Sequence, residues 1–158
     1  MSNKQKTNPQ TDKTLSDAAM AQPNSPLDGF TLLVSDGRAL KLSPKTKNHV
    51  FYQIGIKDDD KTLHLRMSGN EGGGLHSKEW VSFDAITAIL DDQKDKVIKS
   101  TLLKPVFKGG SANNCGFMAA VLRSNAINLL MQSAKSVFVH CLADEYDENK
   151  AKLLGMVK

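Results

Sequence analysis

The first regular signal along the chain is alternation. Val50, Tyr52, Ile54 and Ile56 recur at every second position, and Leu63, Leu65 and Met67 repeat the pattern after the acidic stretch 58–61. A side-chain period of two puts each set on one face of a strand, so 49–57 and 62–68 are expected to pair antiparallel around an Asp-rich turn. His64 and Arg66 then point to the opposite face. Upstream, apolar runs at 30–34 and 38–42 flank Asp36-Gly37. An Asp-Gly pair between such runs is the strongest short-range signature of a hairpin with a two-residue turn, and one is expected here.

The period then lengthens. Phe83, Ile86, Ile89 and Leu90 make one stripe of helical spacing, Ser82 precedes it as N-cap, and Asp84 suits the positive end of the helix dipole. A helix over 83–90 is expected, ended by Asp91-Asp92-Gln93. A Lys-rich connector at 94–99 leads to an expected strand at 101–107, placed at a sheet edge because Pro105 offers no ladder donor. Gly109-Gly110-Ser111 opens a second helix carried by Phe117, Met118, Val121 and Leu122, with Asn125 as a left-handed cap after Ser124. A closing hairpin is read at 126–132 and 136–143 around Ser133-Ala134-Lys135, although Ile127, Leu129, Leu130 and Met131 fit a helical continuation almost as well. A short acidic helix is expected over 144–154. Strand, Gly-rich loop, Ser and helix recur at 63–90 and 101–123 without further matching residues, which is coincidence rather than a repeat.

Together these elements predict an α+β fold, an antiparallel sheet of hairpins packed by two main helices. Residues 1–26 carry Leu15 as their sole large aliphatic among Asn, Gln, Thr, Ser, Lys and Pro. They bury too little apolar surface to offset ordering entropy, so a disordered polar tail is expected before one domain over 27–158. A chain of 158 residues with 40% apolar content supports one sizeable core.

Composition narrows the setting. No apolar run reaches the roughly 18 residues of a membrane span, and the N-terminus lacks a secretory layout, so a cytoplasmic protein without a membrane partner is expected. The 2 cysteines, Cys115 and Cys141, are too few for a disulfide framework and read as reduced thiols. Trp80, the single tryptophan, is expected as a core anchor.

Metal and cofactor chemistry finds no motif. His49, His64, His76 and His140 lack zinc-site spacing, although His49 and His64 would face each other if their strands were in register that way. Asp58-Asp59-Asp60 lacks the alternation of a calcium loop. Gly72-Gly73-Gly74 lacks the Lys-Ser/Thr of a P-loop and reads as a flexible connector. Neither metal nor cofactor is expected.

The sharpest constellation is Gly109-Gly-Ser-Ala-Asn-Asn-Cys115, which puts a cysteine at a helix start, where free amides and the dipole favour thiolate. His140 and Asp144 follow, in the order of a base and its orienting carboxylate. In those residues the chain resembles the papain-like and transglutaminase-like cysteine hydrolases. The resemblance implies Cys115 as nucleophile, His140 as base and Asp144 as its partner.

The competing reading is a non-enzymatic binding or accessory protein. The net charge is +4 and the pI near 9.0, which suits a nucleic acid or nucleoprotein partner. A helix at 113–123 followed by a hairpin at 126–143 has the layout of a recognition helix and wing. Arg38, Lys41, Lys99, Lys104, Lys108, Arg123 and Lys135 would supply phosphate contacts. The same small size and tail fit a protein–protein factor: an inhibitor, an adaptor or a secreted bacterial effector. The binding reading, with nucleic acid as partner, is carried forward.

Overall fold

A computed structural model describes residues 27–157. The expected tail, 1–26, lies outside the described residues. Strands β1 (Phe30–Leu40), β2 (His49–Lys57), β3 (Thr62–Asn70) and β4 (Val81–Ser82) form an antiparallel sheet in that order. Helix α1 (Phe83–Leu90) follows, then β5 (Ile98–Lys99), a 3-10 segment (Ser100–Val106) and α2 (Asn114–Arg123). Strands β6 (Leu130–Ser133) and β7 (Ser136–Leu142) join β5 in a second antiparallel sheet, ordered β5-β7-β6, and α3 (Tyr146–Leu154) ends the chain. The fold is α+β.

The alternating set on β2 and β3 does what its period requires. Val50, Tyr52, Ile54, Leu63, Leu65 and Met67 are buried against Phe83, Ile86 and Leu90 of α1 and Met118, Val121 and Leu122 of α2. Each such side chain contributes about 1.5–3 kcal/mol by leaving water, which is why this face settles the register. Ser82 caps α1 as expected, its Oγ accepting from Ala85 N at 3.3 Å. The β2–β3 turn is closed by Asp60, whose Oδ1 accepts from Thr62 N and Oγ1 at 3.2 and 2.6 Å, with Lys61 at φ 60°.

The Asp36-Gly37 hairpin is not formed. Residues 30–40 are one edge strand paired with β2, irregular between Leu32 and Val34 and between Val34 and Gly37. A primed two-residue turn needs positive φ at its first central residue, and in type I′ at the second as well, and neither Asp36 nor Gly37 has it. Gly37 serves a different need: it lies opposite Tyr52, and a Cβ there would stand 2.3 Å from Tyr52 Cε2. The glycine makes room for a ring, not a turn.

The strand expected at 101–107 is also replaced. Ile98 and Lys99 alone pair with β7, and the chain then winds as the 3-10 segment, closed where Phe107 N donates to Lys104 O at 3.1 Å. Pro105 has no N–H to lose in such a turn, and its fixed φ suits it. After α2, Ser124 is extended and Asn125 is not the left-handed cap; that conformation falls on Asn128 (φ 48°), whose N donates to Ser124 O at 2.7 Å. The closing hairpin forms, with its first strand beginning at Leu130. The strand-loop-helix recurrence disappears, because its second strand is the 3-10 segment.

Candidate nucleic-acid interface

Cys115 lies in the first turn of α2, but nothing there stabilises a thiolate enough. Burial pushes its thiol up, opposed only by the charge of Lys104. The loop before it is spent on structure. Asn114, buried, accepts from Ser77 N at 2.8 Å and donates to Gly109 O at 3.1 Å. Ser111 Oγ and Asn113 Nδ2 both donate to Leu75 O, at 2.7 and 2.8 Å. The Glu79 carboxylate accepts from Lys108 N and Gly109 N at 2.9 Å each and from Ser77 Oγ. Segments 75–79 and 108–114 are thereby stitched together.

His140 is elsewhere and fully committed. It lies on β7 with 0% exposure. Arg123 Nε donates to its Nδ1 at 2.9 Å, and Ser100 Oγ meets its Nε2 at 2.8 Å. Since Arg123 can only donate, Nδ1 must accept, Nε2 must carry the proton, and Ser100 Oγ receives it. Burial and the Arg123 charge hold the imidazole well below the usual histidine range, at about 4. Such a ring takes no proton from Cys115, and it cannot activate Ser100 either. Asp144 is exposed in the turn before α3. The expected Cys115–His140–Asp144 triad is therefore not assembled.

The basic residues divide by employment. Arg123 also donates through Nη2 to Val137 O and Val139 O at 2.7 and 3.1 Å, filling the edge of β7 beyond the short β5. Lys41 Nζ binds Asn70 Oδ1 at 2.9 Å, Gly73 O at 3.3 Å and the Glu71 carbonyl, and stands 5.0 Å from the Phe117 ring centroid. The Gly72–Gly74 loop thus turns carbonyls toward a cation, the reverse of a phosphate cradle. Lys99, Lys104, Lys108 and Lys135 are exposed on β5, the 3-10 segment, the loop after it and the β6–β7 turn. Helix α2 buries Met118 through Leu122, so it has no free side to enter a groove.

One face gathers what the sequence left scattered: the side of the four-stranded sheet turned away from α1 and α2. Arg38 pairs with Phe51 across β1 and β2, its guanidinium 5.5 Å from the ring centroid. Next along β2, Gln53 pairs with Arg66, whose Nη1 donates to Gln53 Oε1 at 2.6 Å and whose Nε donates to Lys78 O at 2.8 Å. Then comes Gly55, where a Cβ would lie 2.9 Å from Trp80 Cη2, so the glycine admits the indole onto the backbone. Trp80 stacks on Phe30 at 4.5 Å and 15°, Arg66 lies 5.6 Å from the indole, and His64 meets Phe30 edge-on at 5.2 Å.

Trp80 is thus half-buried on the outer face, not a core anchor. Among the described residues no helix packs on this face. Sequence reasoning placed His64 and Arg66 there but missed Phe51, Gln53, Phe30 and Trp80. Phe51 had left a signal, being the one aromatic out of phase with Val50, Tyr52 and Ile54. His49 and His64 do not meet: His49 pairs with Leu40 and binds Glu71 Oε1 at 2.9 Å, while His64 pairs with Gly55. No group of metal-ligating side chains occurs among the described residues, and no helix among them is long and apolar enough to cross a membrane. No family model matches the chain, and neither a curated protein nor a solved structure is found similar to it.

Proposed function

We propose that this is a non-enzymatic nucleic-acid-binding protein whose contact surface is the outer face of the four-stranded sheet. One observation carries the reading: two units of cation and aromatic ring, Arg38 with Phe51 and Arg66 with Trp80 and Phe30, share a sheet face that no helix covers among the described residues. Rings offer stacking surface to bases, the exposed Arg38 guanidinium offers attraction to phosphates, and the buried Arg66 braces the indole. Lys57 and Lys78 flank the same face, the acidic groups nearest it are Asp36 on β1, the turn at 58–60 and Glu71, and the chain as a whole carries +4. The test is fluorescence anisotropy of labelled oligonucleotides at 50 and 200 mM salt. Binding that weakens with salt, and weakens again in Arg38→Glu, supports the reading; absence of binding at micromolar protein and low salt refutes it.

A second reading, contact with another protein, is favoured by Leu75. It is 86% exposed, yet its carbonyl is tethered by Ser111 and Asn113. A rigidly presented leucine suits an apolar pocket on a partner. Size-exclusion chromatography of wild type and Leu75→Ser with a candidate partner distinguishes it.

A further inference from the structure

We infer that the ligand of the outer sheet face is single-stranded nucleic acid, held by bases stacked at two separate places, Phe51 and the Trp80–Phe30 pair. This rests on the nucleic-acid reading of that face and names its substrate class. In a duplex the faces of the bases are hidden in the helical stack, so aromatic rings on a sheet can be used only by bases free of pairing. A duplex reader instead needs an element narrow enough for a groove. Neither candidate element serves: α2 is packed into the core along Met118–Leu122, and the β6–β7 hairpin is joined to β5 in the second sheet. Exposed lysines on separate elements supply attraction without a groove-shaped array.

The geometry also sets a length. Phe51 and Gly55, the residue under the indole, are four positions apart on β2, which is about 13 Å at the rise of an extended strand. A stacked strand advances about 3.4 Å per nucleotide, so roughly four nucleotides bridge the two places. Between them the Gln53–Arg66 pair, bonded at 2.6 Å, keeps the Arg66 side chain against the indole. Arg66 is 6% exposed, so it acts by holding Trp80 in place rather than by reaching a phosphate. Arg38, exposed beside Phe51, is the cation left for the ligand.

Trp80 is the single tryptophan of the chain and lies in the proposed contact, so it reports directly on occupancy. The experiment titrates the full chain with oligothymidylates of 2 to 12 nucleotides and with a duplex of the same length as the longest. Indole emission and the anisotropy of a labelled oligonucleotide are read in parallel. The expected result is saturable quenching of Trp80, affinity that climbs steeply up to about four to six nucleotides and then levels, and a duplex at least tenfold weaker at equal salt. Phe51→Leu, which keeps the apolar bulk on the sheet, should weaken the long oligonucleotide about tenfold while leaving the dinucleotide nearly unchanged, with circular dichroism confirming an intact fold.

Duplex binding as tight as single-strand binding overturns the inference. So does saturable anisotropy with no change in Trp80 emission, which places the nucleic acid elsewhere on the chain; both results leave the broader nucleic-acid reading standing. If anisotropy detects no binding of either form, the broader reading fails and this inference falls with it.

Discussion

Arg123 donates its Nε–H to Nδ1 of His140 across 2.9 Å, and this contact fixes which nitrogen of a buried imidazole carries its proton. The ring is stable only when neutral. Its pKa falls from the ordinary 6.5 to about 4 through burial and the neighbouring guanidinium.

Mild acid should weaken the fold. Between about 6.5 and 4 the unfolded chain takes up a proton at His140 and the folded chain does not, so stability is full above 6.5 and is lost as pH falls through that window. The shift is worth about 3 kcal/mol at most. His76, also lowered by burial, adds to the same slope. Asp91 and Glu71, lowered by their hydrogen bonds to Lys150 and His49, and Glu79, where burial is outweighed by hydrogen bonds from Ser77, Lys108 and Gly109, act with the same sign at lower pH. Urea unfolding at pH 7.5, 5.5 and 4.5 checks the slope, and NMR titration should find His140 the last histidine to protonate.

Arg123 is predicted to matter for folding rather than for ligand. Arg123→Ala removes the donors to Val137 O, Val139 O and His140 Nδ1 together, and should cost about 2–4 kcal/mol because charged donors to partly buried acceptors are lost. Lysine cannot span all three acceptors, so Arg123→Lys should recover less than half. Chemical denaturation measures both, and oligonucleotide affinity of the folded variants should match wild type.

Two glycines should respond in opposite directions. Gly37→Ala drives a methyl into the Tyr52 ring and should destabilise by about 2 kcal/mol or more. Gly116 lies within α2 and nothing stands within 4 Å of an added Cβ, so Gly116→Ala should stabilise by about 0.5–1 kcal/mol. Thermal melts of both variants against wild type decide the signs.

Cys115 should behave as an ordinary, partly buried thiol. Burial raises it, so its alkylation by iodoacetamide at pH 7 should be slower than that of free cysteine and should speed up on unfolding. Labelling followed by mass spectrometry locates the modified residue. Rapid modification below pH 7 would contradict the buried thiol.

The parts of the fold readable in the sequence are those governed by near neighbours. The β2–β3 pair, α1 with its Ser82 cap, α2, the closing hairpin and α3 each follow from a period or a cap within a dozen residues. The misread parts depend on distant partners. Gly37 looks like a turn until Tyr52, fifteen positions on, is laid over it. Pro105 argues against a central strand, but only the buried Leu103 shows that the alternative is a 3-10 winding. His140 follows Cys115 in the order of a catalytic base, and only Arg123 and Ser100 reveal that both its nitrogens are occupied. The outer face is assembled from positions 30, 38, 51, 53, 64, 66 and 80, and no local window contains them.

The stitching of 75–79 to 108–114 changes how the glycine-rich stretches behave as material. Composition alone describes slack cord, yet Glu79, Asn114, Ser111 and Asn113 sew two long connections into one seam, with backbone amides of Lys108, Gly109 and Ser77 as the thread. That seam joins the connection between β3 and β4 to the start of α2, so it acts as the hem from which sheet and helix both hang. Its amide hydrogens should exchange with solvent as slowly as those of a short strand, and proteases that seek loose loops should pass it by.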